Sequence, residues 1–381
     1  MTTENSRDAL EPVAGNGLLH RRLFLAQGAA AVAVSSAAPS VGTGSSRTPL
    51  ESLEGVITPS ALHFERHHNG IPDLDPDTHQ VLIHGLVERP LLFSIEALSR
   101  YPLVSRIQFL ECSGNSAGNN APEAPQQSAG GIHGLVSCSD WTGVPLALLL
   151  EEAGLKPEGR WLLAEGADAA GMSRSVPIAK ALDDAILALY QNGERLRPSN
   201  GYPVRLFLPG YEGNMNVKWL RRIKVTAEPT MTKDETSKYS DLGLDGRSKL
   251  FTFPMDVKSV ITSPSGGQKM NGPGLYQVSG LAWSGFGKIR RVDVSADGGK
   301  SWAPAALTEP VLSKSLVRFR MPWRWSGNPS VLMSRAVDET GAVQPTRAVL
   351  IGARGTNYRY HYNAIQSWNV SAAGEIGNVY V

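Results

Sequence analysis

The sequence predicts an α+β domain followed by an immunoglobulin-like β-sandwich. In the first half, short apolar segments typical of strands alternate with segments of helical spacing. From about residue 250 onward, apolar residues alternate with period two between turn signals, which is typical of an all-β sandwich. A polar linker over residues 230–249 separates the two halves. A chain of 381 residues is long enough for two ordinary domains.

The first domain is predicted over residues 55–229. Its apolar segments indicate strands at 80–83, 107–110, 161–165, 185–190 and 221–225. A short helix is expected after Ser94, and a longer one over 146–153 that ends at Gly154. Residues 178–182 fit a strand or a short helix equally well. The glycine- and proline-rich stretch 113–134 is expected to be a long irregular loop, which in compact domains often has a function.

The second domain is predicted over residues 250–355. Strands are expected at 280–285, 289–295, 317–321 and 330–337, and Asp297-Gly-Gly-Lys is a hairpin signal. Residues 356–381 are expected to form an aromatic tail that packs against the first domain or a partner; simple core filling is the alternative.

Composition excludes several classes of protein. The net charge of +2 gives no large uniform field of the kind that attracts nucleic acid. After the N-terminal region, no stretch reaches the roughly 18 consecutive apolar residues that a membrane helix needs. Two cysteines are too few for a disulfide scaffold or a multi-cysteine metal site. Because Cys-x-x-Cys-His is absent, the sequence predicts no covalent haem on this chain.

Residues 1–38 have the features of a bacterial export signal. Arg21-Arg22-Leu-Phe-Leu is followed by a small apolar stretch that is too short to span a membrane. The paired arginines indicate the twin-arginine type, which exports proteins that have already folded around a cofactor; an ordinary signal with two chance arginines is the alternative. The predicted location is therefore the periplasm. An oxidising compartment also permits a disulfide between Cys112 and Cys138, which would leave Cys112 unable to bind a metal.

Cys112 ends a short apolar run and begins a Ser-Gly-Asn turn. A thiol at the end of a strand faces a cleft more often than one in mid-strand, and there it acts as a soft ligand or a nucleophile. The alternative is a small buried hydrophobic residue.

Positively charged residues occur in three further segments. Arg205 lies in an apolar strand, where a guanidinium is costly to bury unless an anion meets it, and phosphate suits its planar donor fork. Lys218-Trp219 adds a second cation nearby in sequence. Residues 63–70 contain three histidines and Arg66, which suit a metal or an anion. A solvated loop and ordinary surface charge are the alternatives.

Together these segments resemble the sulfite oxidase family of molybdenum enzymes over roughly residues 60–370. The likeness is carried by Phe-x-Arg-His-His at 64–68, Cys-x-Gly-Asn at 112–115, Glu-Gly-x-Asp at 165–168, Gly-Tyr-Pro-Val-Arg at 201–205, and Pro-Gly-x-x-Gly-x-x-x-Val-Lys-Trp-Leu at 209–220. Two narrower motifs, at 111–116 and 189–193, are similar to the sulfane dehydrogenase branch of this family.

The resemblance implies a molybdenum–molybdopterin cofactor. Cys112 would be the single protein thiolate on molybdenum, and the pterin dithiolene would supply two further sulfurs. Asn200 stands where the family usually has a histidine. The resemblance further implies cofactor contacts for Arg66, His67, His68, Asp168, Asn200, Arg205, Asn216, Val217 and Lys218.

Three departures from the family pattern concern the substrate. Ala117 replaces an arginine of the enzymes that act on free sulfite, and His361 falls near the place of another. Tyr190 matches the family's catalytic tyrosine only after a shift of one residue. Each lost charged hydrogen bond would weaken binding of a dianion by about 1.5–3 kcal/mol. The hypothesis is therefore a less charged substrate, sulfane sulfur on a cysteine of a carrier protein.

The implied reaction is oxygen-atom transfer at molybdenum, with Cys112, Arg66, Tyr190 and His361 as catalytic candidates. The electrons would pass to a c-type cytochrome, and the second domain would form a homodimer within a hetero-oligomer. The alternatives are a sulfite dehydrogenase, a methionine-sulfoxide reductase, which the β-sandwich counts against, and a cofactor-free secreted interaction protein with a Cys112–Cys138 disulfide.

Overall fold

A computed structural model describes residues 12–19, 44–68 and 70–381. The twin-arginine motif and the apolar stretch of the predicted export signal lie outside the described residues. Among the helices of the described part, none is long and apolar enough to cross a membrane.

The first part of the chain contains mostly short strands. Its strands are β1 (Pro12–Ala14), β2 (Leu18–Leu19), β3 (Ser45–Ser46), β4 (Glu65–Arg66), β5 (Gln80–Gly85), β6 (Leu91–Ser94), β7 (Val104–Glu111), β8 (Val136–Pro145), β9 (Trp161–Gly166), β10 (Ser173–Pro177), β11 (Ile186–Gln191), β12 (Glu194–Arg195), β13 (Arg205–Phe207) and β14 (Leu220–Thr226). Its helices are α1 (Ile95–Ser99), α2 (Ala129–His133), α3 (Leu146–Ala153) and α4 (Ile178–Asp183).

The first domain contains two five-stranded sheets. One has the order β10-β9-β14-β5-β6, and the other has the order β12-β11-β8-β7 with β13 beside β11. Side chains from both sheets and from α3 form one apolar core, in which Leu149 and Leu150 are fully buried. This core fixes the second sheet, whose strands β7 and β13 carry Cys112 and Arg205 to one region.

Local sequence signals explain much of this domain. The Ser94 hydroxyl accepts a hydrogen bond from the Ala97 amide and begins α1, while Gly154 ends α3 with φ of +71°. The five predicted strands are confirmed as β5, β7, β9, β11 and β14. Residues 178–183 form a helix. The predicted loop 113–134 contains α2 and a 3-10 turn.

The ten-residue strand β8 was not predicted. Its sequence, Val-Ser-Cys-Ser-Asp-Trp-Thr-Gly-Val-Pro, lacks a long apolar run. Pairing with β7 on one side and β11 on the other holds it in the sheet. Tertiary pairing therefore outweighs weak local strand preference here.

The linker and the second domain contain the remaining elements. These are α5 (Lys233–Thr236), β15 (Asp241–Leu242), β16 (Ser248–Lys249), β17 (Lys258–Ser263), β18 (Gly274–Trp283), β19 (Ile289–Ser295), β20 (Ala303–Pro304), β21 (Ala306–Leu307), β22 (Val317–Trp325), β23 (Ser330–Asp338), α6 (Arg347–Arg354), β24 (Ser367–Val370) and β25 (Ile376–Val379).

The predicted β-sandwich is confirmed. One sheet has the order β1-β2-β22-β18-β17 with β21 beside β22, and the other has the order β20-β19-β23-β24-β25. Four buried tryptophans lie in the core between them: Trp283, Trp323, Trp325 and Trp368. Alternating apolar residues on paired antiparallel strands produce this arrangement.

The predicted C-terminal tail has two parts. Strands β24 and β25 complete the second sheet of the sandwich, so this part fills the core. The preceding residues run along the first domain, where the His361 amide donates to the Ser113 carbonyl at 2.9 Å. The Asn120 side chain donates to the Tyr358 carbonyl at the same distance.

The contribution of the C-terminal strands is testable through Trp368, which is fully buried and donates from its indole to the Ile261 carbonyl at 3.0 Å. Trp368→Ala leaves a large cavity, so we expect the free energy of unfolding of the sandwich to fall by about 3–5 kcal/mol in urea titrations. The exposed Leu244 is the control, and Leu244→Ala should change stability by less than about 0.5 kcal/mol. Equal effects of the two variants would contradict this packing.

Candidate cofactor site

Cys112 lies directly after β7, at the wall of a pocket. Its amide donates to the Leu135 carbonyl at 2.9 Å, and its own carbonyl accepts from the Asn115 amide at 2.9 Å. Gly213 approaches so closely that a Cβ there would meet the Cys112 Cα at 3.3 Å. These contacts fix the backbone of Cys112 and leave its side chain facing the pocket.

The pocket holds a cavity of about 70 Å³ within about 730 Å³ of empty space that includes open solvent. The structure brings ten of the predicted site residues to its wall. These are Arg66, His67, His68, Cys112, Asp168, Asn200, Arg205, Asn216, Val217 and Lys218. They come from five separate segments of the sequence, so their convergence depends on the fold.

Arg205 is 2% exposed and lies in β13, which pairs with β11. Its guanidinium donates to the carbonyls of Asn200 at 2.9 Å and Asn216 at 2.8 Å, and its Nε has no partner among the described residues. Burial lowers the pKa of Arg205 to about 9. No carboxylate pairs with this cation within the described part of the chain, so the pocket offers an uncompensated positive charge.

Lys218 is the second such cation. Its ammonium donates to the Ser199 carbonyl at 2.8 Å and the Arg66 carbonyl at 3.2 Å, and lies 4.3 Å from the centroid of the Trp219 ring. Burial, and then the charge of Arg205, lower the pKa of Lys218 to about 7. A bound anion would reverse this shift because it favours the charged ammonium.

Three histidines line the same pocket. Burial lowers the pKa of His63 to about 3, with the charges of Arg205 and Lys218 acting in the same direction, so its imidazole is neutral. Its Nδ1 lies 2.9 Å from the Phe64 carbonyl, and its buried Nε2 has no partner among the described residues. Burial also lowers the pKa values of His67 and His68. A neutral imidazole whose ring nitrogen is free is able to form a hydrogen bond with a polar atom at the edge of a bound heterocycle.

The remaining predicted contacts shape the pocket wall. Asp168 accepts from the Met172 amide at 2.9 Å and so closes the turn after β9. Asn216 accepts from the Leu208 amide at 2.7 Å, and Asn200 donates to the Gln191 side chain at 2.9 Å. Val217 is buried and contributes an apolar surface.

The two cysteine thiols are both free in the structure. Cys138 is buried in β8, with its sulfur 3.4 Å from the Ser315 hydroxyl. Burial raises the pKa of the Cys112 thiol, although the Gly114 amide and Arg66 oppose this effect. The disulfide left open by the sequence does not form, so Cys112 remains available as a ligand.

Two predicted catalytic residues lie outside the pocket wall. Tyr190 is near the β11–β12 turn, where the Arg195 guanidinium lies 5.6 Å from its ring centroid. His361 is 4% exposed, with its Nε2 3.3 Å from a Glu212 carboxylate oxygen. Burial lowers the pKa of His361, but the hydrogen bond and charge of Glu212 outweigh it and raise the pKa. His361 is therefore paired with the carboxylate of Glu212 and does not line the pocket.

Tyr239 lines the pocket but was missed in the sequence. Its hydroxyl lies 2.8 Å from the His68 Nε2, and the Arg174 guanidinium lies 4.9 Å from its ring centroid. Burial raises the pKa of Tyr239, so it stays protonated. The sequence feature that could have identified Tyr239 is that it is the one aromatic residue in the segment 230–249, which was interpreted as a polar linker.

These residues fit a metal cofactor with an anionic organic part. Cys112 offers a sulfur ligand at the wall, while Arg205 and Lys218 offer cations that pair with no carboxylate in the described part of the chain. No cluster of three or more His, Cys, Asp or Glu side chains within the described residues forms a metal site. A metal here would therefore need further ligands from outside the protein, as molybdopterin supplies.

Comparison with known proteins agrees with this geometry. The family model for the oxidoreductase molybdopterin-binding domain matches residues 68–233, and the model for the Mo-co oxidoreductase dimerisation domain matches residues 249–367. The chain therefore belongs to the sulfite oxidase family of molybdopterin-dependent oxidoreductases.

Three individual proteins within this family are similar to the chain over most of its length. Sulfite oxidase from Gallus gallus is 31% identical over 327 residues, which cover 78% of this chain and 70% of that protein. Mitochondrial sulfite oxidase from Homo sapiens is 30% identical, with 79% of this chain and 60% of that protein covered. The crystal structure of the sulfane dehydrogenase SoxCD from Paracoccus pantotrophus matches with 47% identity and a TM-score of 0.87, over 91% of this chain and 90% of that one.

The lowered pKa of Lys218 predicts proton uptake when an anion binds. At pH 8 the cofactor-free protein holds Lys218 mostly neutral, and bound phosphate would restore its charge by taking up as much as about one proton. Calorimetric titration of the cofactor-free chain with inorganic phosphate, in two buffers of different ionisation enthalpy, measures this uptake. Lys218→Met should abolish it, whereas Lys224→Met, at an exposed position, should not. Undiminished uptake in Lys218→Met would contradict the assignment.

The lowered pKa of Lys218 also determines how the stability of the cofactor-free protein changes with pH. Between about pH 7 and the ordinary pKa of lysine, the unfolded chain binds a proton that the folded cofactor-free protein does not. The contribution of Lys218 to stability therefore increases as the pH rises through this range.

Proposed function

We propose that this protein is a periplasmic molybdenum oxidoreductase that oxidises sulfane sulfur on a carrier protein during thiosulfate oxidation, and that passes the electrons to a c-type cytochrome. The observation that carries the proposal is a pocket with Cys112 on its wall, the buried Arg205 and the half-buried Lys218, neither of which pairs with a carboxylate of the described residues. The 47% identity to a protein named sulfane dehydrogenase supports the choice of substrate.

The chain's own residues would bind and orient the cofactor. When bound, molybdenum–molybdopterin supplies oxygen-atom transfer to sulfur and accepts two electrons. Cys112 would be the protein ligand to the metal. Arg205 and Lys218 would bind the pterin phosphate, and the neutral His63 would offer its unpartnered Nε2 to a polar edge of the pterin. We propose no haem on this chain, so an outside acceptor is needed.

The overall step balances with water as the oxygen source. A persulfide R–S–S⁻ gains one oxygen from water to give R–S–S–O⁻, and two protons and two electrons leave. The sulfur is oxidised, and the cytochrome is reduced by one electron at a time.

The charges around the pocket favour a substrate with less charge than sulfite. Ala117 contributes no cation, and His361 is held by Glu212 outside the pocket wall. Arg174 lies near Asn214 and Tyr239, but Glu212 and Glu235 compensate its charge at 3.4 Å and 3.6 Å. With Arg205 and Lys218 assigned to the pterin phosphate, Arg66 is the remaining charged donor of the described pocket wall for a free dianion, and each missing donor weakens binding by about 1.5–3 kcal/mol.

Access to the pocket suits a substrate carried by a protein. Arg66 and His68 line the pocket and are exposed on the surface. A cysteine persulfide on a carrier is able to reach the pocket from this side. The matched dimerisation-domain model supports a homodimer, and the similarity to SoxCD supports its assembly with further subunits.

The second candidate is a sulfite dehydrogenase on free sulfite. The 30–31% identity to sulfite oxidases favours it. A cofactor-free interaction protein is disfavoured because Cys112 and Cys138 are unpaired.

Steady-state rates on the two substrates distinguish these candidates. The holoenzyme is supplied with cytochrome c as acceptor and with either a carrier-bound persulfide or free sulfite. We expect kcat/KM for the persulfide to exceed that for sulfite, by about 10-fold or more if one charged hydrogen bond is missing. The carrier with its persulfide cysteine blocked is the control and should give no turnover. Robust turnover of sulfite at micromolar concentration would overturn the preference for sulfane sulfur.

A further inference from the structure

Behind the cofactor pocket, a fully buried polar cluster joins the two domains. Its centre is Glu111, the residue directly before Cys112, which is 1% exposed. Lys258 and Trp283, from the second domain, are also 1% and 0% exposed. None of these three residues lines the pocket, and none has a role in the function proposed above.

Three side chains donate to the Glu111 carboxylate. Asn115 donates to Oε1 at 2.9 Å, Lys258 donates to Oε1 at 3.1 Å, and the Trp283 indole donates to Oε2 at 2.7 Å. Two of the three donors therefore belong to strands β17 and β18 of the sandwich. A buried carboxylate requires such donors because its charge is otherwise very costly away from water.

The same cluster holds the loop that carries Cys112. Asn115 also donates to the His133 carbonyl at 2.9 Å and accepts from the Leu135 amide at 3.1 Å. Leu135 in turn accepts from the Cys112 amide. Glu111, Asn115 and Leu135 thus surround the backbone of Cys112 on both sides.

A second branch runs from Lys258 to the C-terminal segment. Lys258 donates to the Ser116 hydroxyl at 2.7 Å, which lies 2.6 Å from the His133 Nδ1. The His133 Nε2 lies 3.0 Å from the Gln366 side-chain oxygen. The Cys112 loop is therefore connected to the sandwich at two places.

Stability alone does not account for this arrangement. Buried ion pairs are often no more stabilising than apolar side chains of similar volume, and in some proteins they instead fix one geometry among several. We propose that Lys258 and Trp283 are positioning residues which, through Glu111, set the direction in which Cys112 presents its sulfur to the metal. The sandwich domain would then position the cysteine of the cofactor pocket from outside that pocket. The role toward the metal rests on the function proposed above.

Three variants test this proposal in the full chain. Lys258→Met removes the charge and its hydrogen bonds but keeps the length of the side chain. Trp283→Phe removes one donor with little loss of volume. Arg318→Met is the matched control, because Arg318 is a buried cation of the sandwich that also binds the chain at the start of the first domain, at the carbonyls of Leu53 and Gly55. It shares no hydrogen bond with Glu111 or the Cys112 loop among the described residues.

The first readout is amide hydrogen exchange of residues 112–115 in the cofactor-free chain, relative to residues 223–225 in β14. We expect Lys258→Met to accelerate exchange at Cys112 by about 10-fold or more, the factor for one lost charged hydrogen bond. Trp283→Phe should give a smaller acceleration, and Arg318→Met should give none. The second readout is the electron paramagnetic resonance spectrum of the bound metal in partly reduced holoenzyme of equal metal content. Its g values should shift in Lys258→Met and Trp283→Phe only.

Unchanged exchange and unchanged spectra in Lys258→Met would overturn the proposal, as would the same changes in Arg318→Met. If Lys258→Met does not fold, Trp283→Phe decides by the same two criteria. Absence of a metal signal in the wild-type protein would defeat the proposed function instead, and the exchange measurement would still test the contacts.

Discussion

The site depends on two positive charges, the buried Arg205 and the half-buried Lys218, that pair with no carboxylate of the described residues. Arg205 and Lys218 donate to carbonyl oxygens only, and the faces of Trp141 and Trp219 lie beside them. Dipoles and aromatic faces compensate a buried cation only in part, so the cofactor-free protein carries a free-energy cost for the charge of Arg205 and lowers the pKa of Lys218. An anionic pterin removes this cost, and its binding should therefore stabilise the folded chain.

Residues outside the first domain also line or support the site. Strands β7 and β13 carry Cys112 and Arg205, and the segment between the domains adds Tyr239. From the second domain, Lys258 contacts the residue directly before Cys112. On the positioning proposed above, a substitution in the sandwich core would disturb Cys112 without touching the pocket.

The sequence predicts the parts of this site that depend on local chemistry. An arginine in an apolar strand and a cysteine at a strand end are weak signals alone, and Arg205 and Cys112 were assigned to a cofactor through the family resemblance of the motifs that contain them. The periodicity of apolar residues predicted nine of the 25 strands that the described residues form. What depends on distant contacts was not predicted. Strand β8 is stabilised by pairing with its neighbouring strands. Tyr239 lies at the pocket because the tertiary fold brings its segment beside His68. His361 pairs with Glu212, which comes from a distant segment of the sequence. Tyr190 was predicted to be catalytic by shifting the family motif by one residue, and Tyr190 does not line the pocket.

The most direct test of the central claim is the rate of sulfur oxidation per bound pterin in Cys112→Ser. Serine keeps the size of the side chain but removes the sulfur ligand, while Arg205 and Lys218 are unchanged. The account predicts that the pterin is retained and that the rate falls by more than about 100-fold, since even changes around a metal ligand cost 10- to 100-fold. Cys138→Ser, at a buried thiol outside the pocket, should keep the rate of the wild-type protein. Full turnover by Cys112→Ser would contradict the account.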